Sequence, residues 1–94
     1  EHQKAIDCYE KAIQIDPNCI GAYNNLGVIL GELGQDNEAK KYFEKSLNLD
    51  PNNKITCKGY GDILLKLNQH SKGLEYLRKG TGFIRFTQKD FRII

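Results

Sequence analysis

The chain repeats itself every 34 residues, and that period constrains the fold more than any other feature. Ala5-Ile6-Asp7-Cys8-Tyr9-Glu10-Lys11-Ala12-Ile13-Gln14-Ile15-Asp16-Pro17-Asn18 aligns with Ala39-Lys40-Lys41-Tyr42-Phe43-Glu44-Lys45-Ser46-Leu47-Asn48-Leu49-Asp50-Pro51-Asn52. One further step reaches Gly73, Tyr76, Leu77, Lys79 and Gly80. In the intervening blocks Gly27-Val28-Ile29-Leu30 aligns with Gly61-Asp62-Ile63-Leu64, and Leu33 with Leu67. A fixed offset shared by Gly, Pro and apolar positions is the mark of a stacked repeat. A single unit of this size cannot cover its own apolar side, so neighbours must seal it.

Inside each period the apolar spacing is helical. Ala5, Tyr9, Ala12 and Ile13 fall on one stripe, at the i, i+4, i+7, i+8 spacing of an amphipathic helix. Leu26, Ile29, Leu30 and Leu33 form a second stripe, Ala39, Phe43, Ser46 and Leu47 a third, and Tyr60, Ile63, Leu64 and Leu67 a fourth. Asp16-Pro17-Asn18 and Asp50-Pro51-Asn52 punctuate them, because proline disfavours helix at the residue before it. Gly34 is expected to end a helix and Asp36 to cap the next, with Asn68 and Ser71 repeating those parts. This predicts five helices, near 2–15, 20–33, 37–48, 54–67 and 71–79. Gly27, Gly61 and the small residues Ala12, Ala39 and Ser46 are expected to let helices approach, with Tyr9 and Phe43 filling the wedge between units.

The order of these residues resembles the tetratricopeptide repeat. The full unit reads Tyr23-x-x-Leu26-Gly27-x-x-Leu30, then Ala39-x-x-x-Phe43, then Pro51, following that family's pattern of aromatic, Leu-Gly, Ala, Phe and Pro. The half unit before it keeps Ala5, Tyr9, Ala12 and Pro17. The unit after it departs, with Cys57 for the aromatic, Tyr60-Gly61 for Leu-Gly, Gly73 for Ala and Arg85 for Pro. The resemblance implies an all-α, right-handed solenoid of antiparallel helix hairpins over residues 1–80. It divides into a half repeat at 1–19, a full repeat at 20–53 and a divergent repeat at 54–80. About two and a half units is near the minimum for folding alone, so marginal stability is expected.

Residues 81–94 read differently. Phe83-Ile84-Arg85-Phe86 and Phe91-Arg92-Ile93-Ile94 flank a polar stretch, a pattern that suits a short β-hairpin. Such a hairpin is marginal alone and would have to pack on the last helical pair as a cap. The alternative is the start of a further domain, disordered or paired between molecules, and an exposed strand edge there offers a route to self-association. The segment from Lys72 onward carries six basic residues against two acids, whereas residues 1–71 carry 8 − 10 = −2. Phe83, Phe86 and Phe91 interleave with Arg85, Lys89 and Arg92, as in a base-stacking surface. Strand alternation produces the same pattern with aromatics inward, so a nucleic-acid partner is not expected.

Composition bounds the chemistry. The 94 residues are 39% hydrophobic and 28% charged with a formal charge of +2. The longest apolar run falls far short of a membrane span. Methionine is absent, even at the first position, which is read as a piece cut from a longer protein. Cys8, Cys19 and Cys57 form no CxxC pair, and His2 and His70 stand far apart, so no metal site is expected. Three reduced thiols suit the cytoplasm, although spacing leaves open whether two of them meet as a disulfide. No nucleophile elbow, zinc motif, P-loop or dinucleotide fingerprint occurs, so neither an enzyme nor a cofactor is expected.

The resemblance therefore implies a protein-interaction or scaffold module. In that family the first helix of each unit lines a concave face that holds a partner segment. Carried onto this sequence, the face comprises Gly21, Asn24, Asn25, Val28 and Glu32, then Lys58, Gly59, Asp62 and Lys66. Asn25 stands at the family's usual asparagine, where it would hold a partner's backbone; the alternative is a hydrogen bond to the neighbouring helix. Gly21, Ile55 and Gly59 stand where a carboxylate clamp needs basic residues, which disfavours that specialised use. The competing expectation is a structural spacer attached to a downstream catalytic domain.

Overall fold

The computed structural model describes residues 2–81. Five helices make up these residues: α1 (His2–Ile15), α2 (Ile20–Glu32), α3 (Asp36–Leu49), α4 (Lys54–Lys66) and α5 (His70–Thr81). No strand occurs among them. The β-hairpin expected within 83–94 lies outside the described residues. Helices α2 and α3 pack as one hairpin and α4 and α5 as the next. The first hairpin also meets α1 on one side, through α2, and α4 on the other. The molecule is elongated, 49 × 24 × 21 Å, as stacked hairpins require.

The two units end their first helices alike. Gly34 (φ +83°) and Asn68 (φ 66°) take the left-handed conformation, which costs glycine little and asparagine less than most residues. Gln35 N–H donates to Leu30 O at 2.8 Å and Gly34 N–H to Gly31 O at 3.1 Å. Gln69 and Asn68 repeat this on Leu64 O and Leu65 O at 2.8 and 3.0 Å. This is the Schellman closure, which satisfies carbonyls that a helix end leaves free. At the proline turns, Asp16 Oδ1 accepts from Asn18 N–H and Asp50 Oδ1 from Asn52 N–H. Asn53 then caps α4 by accepting from Thr56 N–H at 3.0 Å.

Two expected caps are corrected. Asp36 and Ser71 lie inside the first turns of α3 and α5, because the Schellman closure already places Gln35 and Gln69 at the boundary. Asp36 Oδ1 has no hydrogen-bond partner among the described residues. Its carboxylate therefore acts on α3 through the field of the helix N-terminus. The end of α5 is also later than expected. Helix continues through Gly80 to Thr81, because Gly80 is a packing residue: a Cβ there would meet Lys58 N at 2.6 Å and Lys54 O at 2.9 Å. The missing side chain lets α5 lie against the backbone of α4. Gly61 and Gly73 do the same further along, each facing the other's carbonyl oxygen.

The core lies where the hairpins meet. Leu30, Ala39, Phe43, Tyr60, Ile63 and Leu64 form it, with Ile6, Tyr42, Leu47, Leu67 and Tyr76 packed around. Phe43 sits at its centre, 1% exposed. A Cβ on Gly27 would lie 2.6 Å from its ring and one on Gly59 2.5 Å away. The wedge role expected of Phe43 therefore depends on a glycine from each of two helices. Tyr9, its counterpart in α1, is only half-buried.

Candidate functional site

Between α2 and α4 runs a groove of about 330 Å³. Its floor is Phe43 and Ile63, and Gly27, Gly31 and Gly59 keep it open because no side chain rises from them. Val28 and Glu32 from α2, with Asp62 and Lys66 from α4, form the rim. Five of the residues expected on a binding face, Gly59 among them, are thus brought together. They converge because α2 and α4 are equivalent helices of successive units laid side by side.

The rim charges are partly committed. Lys66 Nζ donates to Gly31 O at 3.2 Å, bridging from α4 to the end of α2, where the helix carbonyls favour a cation. Lys58 Nζ lies 3.5 Å from Asp62 Oδ2, and both are exposed. Glu32 Oε1 lies 3.2 Å from His2 Nε2. Lys58 does not line the groove; it sits one turn from Asp62 on α4. Asn25 is exposed on the same helical line as Val28 and Glu32, as is Gly21, with no atom near its missing Cβ.

Asn24 is placed otherwise than expected. It is only 7% exposed, and its Oδ1 accepts from Thr56 Oγ1 at 2.9 Å. The Thr56 hydroxyl also lies 3.0 Å from Ser46 Oγ and 3.1 Å from Asn53 Oδ1. This polar cluster joins α2, α3 and α4 inside the packing, where buried polar atoms need partners. The inter-helix hydrogen bond considered for Asn25 is made by its neighbour. Asn24 shares a helical line with Gly27 and Gly31, small residues three and seven positions on, and that line was the available signal. Gly59 likewise serves Phe43 as well as the groove.

Burial shifts the titration of three groups at different places in the stack. Tyr60 donates to Glu44 Oε2 at 2.9 Å, and its pKa is raised, first by burial and then by that hydrogen bond and the carboxylate's charge. Tyr42 is also raised, by burial and then by Glu10 and Glu38. Burial raises the Cys57 thiol, which makes it a poor nucleophile. Cys8, Cys19 and Cys57 are all free. Among the described residues no group of three or more His, Cys, Asp or Glu side chains is placed to hold a metal. No helix among them is long and apolar enough to cross a membrane.

The repeat agrees with comparison to known proteins. A tetratricopeptide repeat model matches residues 20–53, and a second TPR repeat model matches residues 1–34. The chain belongs to the tetratricopeptide repeat family. The two matches overlap because a helix-hairpin array can be framed from either helix of the pair. Among solved structures, MamA AMB-1 is 23% identical with a TM-score of 0.76, over 87% of this chain and 45% of that one. MamA MSR-1 is 22% identical with a TM-score of 0.75, over 92% and 49%. A further crystal structure of MamA gives 22%, a TM-score of 0.78, and 95% and 52%. The chain therefore spans about half the length of these MamA chains, and the likeness is one of fold. Comparison with curated proteins gave no match.

Proposed function

We propose that this tetratricopeptide repeat chain is a protein-interaction module whose α2–α4 groove holds a segment of a partner protein. The observation that carries the reading is an open groove with an exposed apolar side chain on its rim: Val28 keeps 47% of its surface in water beside the buried Phe43 and Ile63. Covering such a surface gains about 25 cal/mol per Å² of apolar area. Glu32, Asp62 and Lys66 then set the orientation and partner choice, which is what rim charges do best. Asn25, further along the α2 line, offers an amide that can both donate to and accept from a partner's backbone. Membership of the repeat family supports the reading, since stacking hairpins generate a groove of this kind at every junction. Three free cysteines suit a reducing compartment, and we place the module in the cytoplasm.

A displayed library of random peptides panned on the full chain tests this. Enriched peptides should bind wild type and lose at least about tenfold in affinity to Val28→Glu, a change of roughly 1.4 kcal/mol, while helical circular dichroism is kept. Failure to enrich any peptide, or equal binding to wild type, Val28→Glu and Asp62→Ala, would overturn the groove as the site.

A further inference from the structure

Two junctions between units are built from equivalent positions and filled differently. At the second, Tyr60 of α4 lies between α3 and α5. Its hydroxyl donates to Glu44 Oε2 at 2.9 Å, and its ring meets Tyr76 edge-on with centroids 4.7 Å apart. At the first, 34 residues earlier, the same three positions hold Leu26 on α2, Glu10 on α1 and Tyr42 on α3. Leucine has neither the ring nor the hydroxyl. A cavity of about 210 Å³ lies there, with Ile6, Leu26 and Leu33 on its apolar side and Glu10, Glu38 and Tyr42 on its polar side. It shares no lining residue with the α2–α4 groove.

Exposure follows this difference. Glu44 is half-buried beside Tyr60, whereas Glu10 is exposed. Leu67 is half-buried, whereas its counterpart Leu33 keeps 44% of its surface in water. Among the described residues neither Glu10 nor Glu38 makes a hydrogen bond or an ion pair. Both are felt at the Tyr42 phenol, whose pKa is raised by burial first and then by these two carboxylates. The charge also changes between junctions, because Glu38 stands where the second has Lys72. Lys45 lies over the Tyr42 ring at 5.6 Å, but Lys79 lies over Tyr76 in the same way at 5.1 Å. That cation is common to both junctions and does not stand in for Tyr60.

The chemistry of an occupant follows from the comparison. It is planar and donates hydrogen bonds, as Tyr60 does, and it is cationic, to answer two carboxylates. A guanidinium is flat, always charged and carries donors on several edges that match carboxylates. Its methylene stem packs along apolar surface such as that of Ile6 and Leu33. An ammonium supplies the charge without the plane. We propose that the cavity between α1, α2 and α3 is a docking site for an arginine side chain of a partner protein, with the guanidinium held by Glu10 and Glu38 beside Tyr42. This site stands independently of segment binding in the α2–α4 groove.

The probe is N-acetyl-arginine amide, with the lysine and citrulline amides beside it, titrated into the isotopically labelled full chain. A single side chain binds weakly, on the order of millimolar, so backbone amide shifts in nuclear magnetic resonance are the readout. The arginine amide should give saturable shifts at Glu10, Glu38 and Tyr42, the lysine amide weaker ones, and the uncharged citrulline amide none. Glu10→Gln and Glu38→Gln, both at exposed positions, should each weaken arginine at least about fivefold. Leu26→Tyr copies the second junction into the first and should abolish arginine binding while helical dichroism is kept. Val28→Glu, in the other groove, should leave arginine binding unchanged. The absence of saturable shifts, an equal response to the citrulline or lysine amide, or an affinity indifferent to both glutamine variants would overturn the site. So would arginine binding that survives Leu26→Tyr in a folded chain. Loss on Val28→Glu would assign the shifts to the α2–α4 groove and overturn it as well.

Discussion

Helices α1 and α3 carry nearly the same residues and end in opposite states. Ala5, Tyr9, Ala12 and Ile13 of the first correspond to Ala39, Phe43, Ser46 and Leu47 of the second. Yet α3 buries Ala39, Phe43 and Ser46, whereas no residue of α1 is buried. The difference is in the neighbours. Helix α3 packs against both α2 and α4, while α1 packs against α2 alone among the described helices. In a repeat array the pattern of a helix gives its capacity for burial, and the units on either side decide how much of it is used.

The comparison is most open to attack at its two aromatics. Phe43→Ala should cost ~3–5 kcal/mol, the range for emptying a large core site. Collapse into the space is hindered because both facing positions, Gly27 and Gly59, have no side chain to move in. Tyr9→Ala removes a half-buried ring and should cost about 1 kcal/mol, a fraction of the ~1.5–3 kcal/mol assigned to a fully buried side chain. Urea midpoints measure both. Equal losses would mean that α1 is sealed as tightly as α3, and the contrast would fail.

A pair of glycines sharpens the same contrast with opposite signs. Alanine is the better helix former by about 0.8–1 kcal/mol. At Gly21 a Cβ meets nothing within 4 Å, so Gly21→Ala should stabilise by about 0.5–1 kcal/mol. At Gly59 the new methyl would lie 2.5 Å from the Phe43 ring. That ring is held on all sides, and overpacking of this kind costs roughly 1–3 kcal/mol, enough to reverse the sign. Thermal melts of the two single variants should move in opposite directions. A stabilised Gly59→Ala would show that Phe43 has room to yield.

Much of this was legible in the sequence, and the exceptions share a cause. Helix limits followed from local chemistry: Gly34 and Asn68 after the apolar stripes, and Asp-Pro-Asn between them. Phe43, Gly27 and Gly61 followed from the period. Asn24 and Gly80 were misjudged because their roles are set by residues distant in the chain. Asn24 has a polar side chain, and only Thr56, 32 residues away, makes it an interior one. Gly80 looked like a helix stop until the backbone of α4 lay against it. Of the expected face, the rim residues Val28, Glu32, Asp62 and Lys66 fell together because one helical line in each unit was sufficient to find them. Lys58 shares that line on α4 but points past the groove, and no single-helix rule distinguishes the two.

The sealed junction also carries an electrostatic contribution. Tyr60 donates to Glu44 across α3 and α4 and meets Tyr76 edge-on, with ring centroids 4.7 Å apart. Its pKa is raised, by burial first and the Glu44 hydrogen bond second, so the folded state prefers the protonated phenol. Stability from that preference is fully present below the unfolded tyrosine value of about 10. It is lost as pH rises beyond that value toward the higher folded pKa, because the unfolded chain releases its proton first. Tyr60→Phe should cost about 1 kcal/mol near neutrality, the scale of one hydrogen bond. Above pH ~10 the variant has no phenol to ionise, so its urea midpoint should fall less than that of wild type and the gap between them should narrow. Tyr42, raised by burial and by Glu10 and Glu38, remains in both proteins, so the difference between them isolates the α3–α4 contact. A gap that stays constant through the alkaline range would show that Tyr60 ionises as readily in the fold as in the open chain.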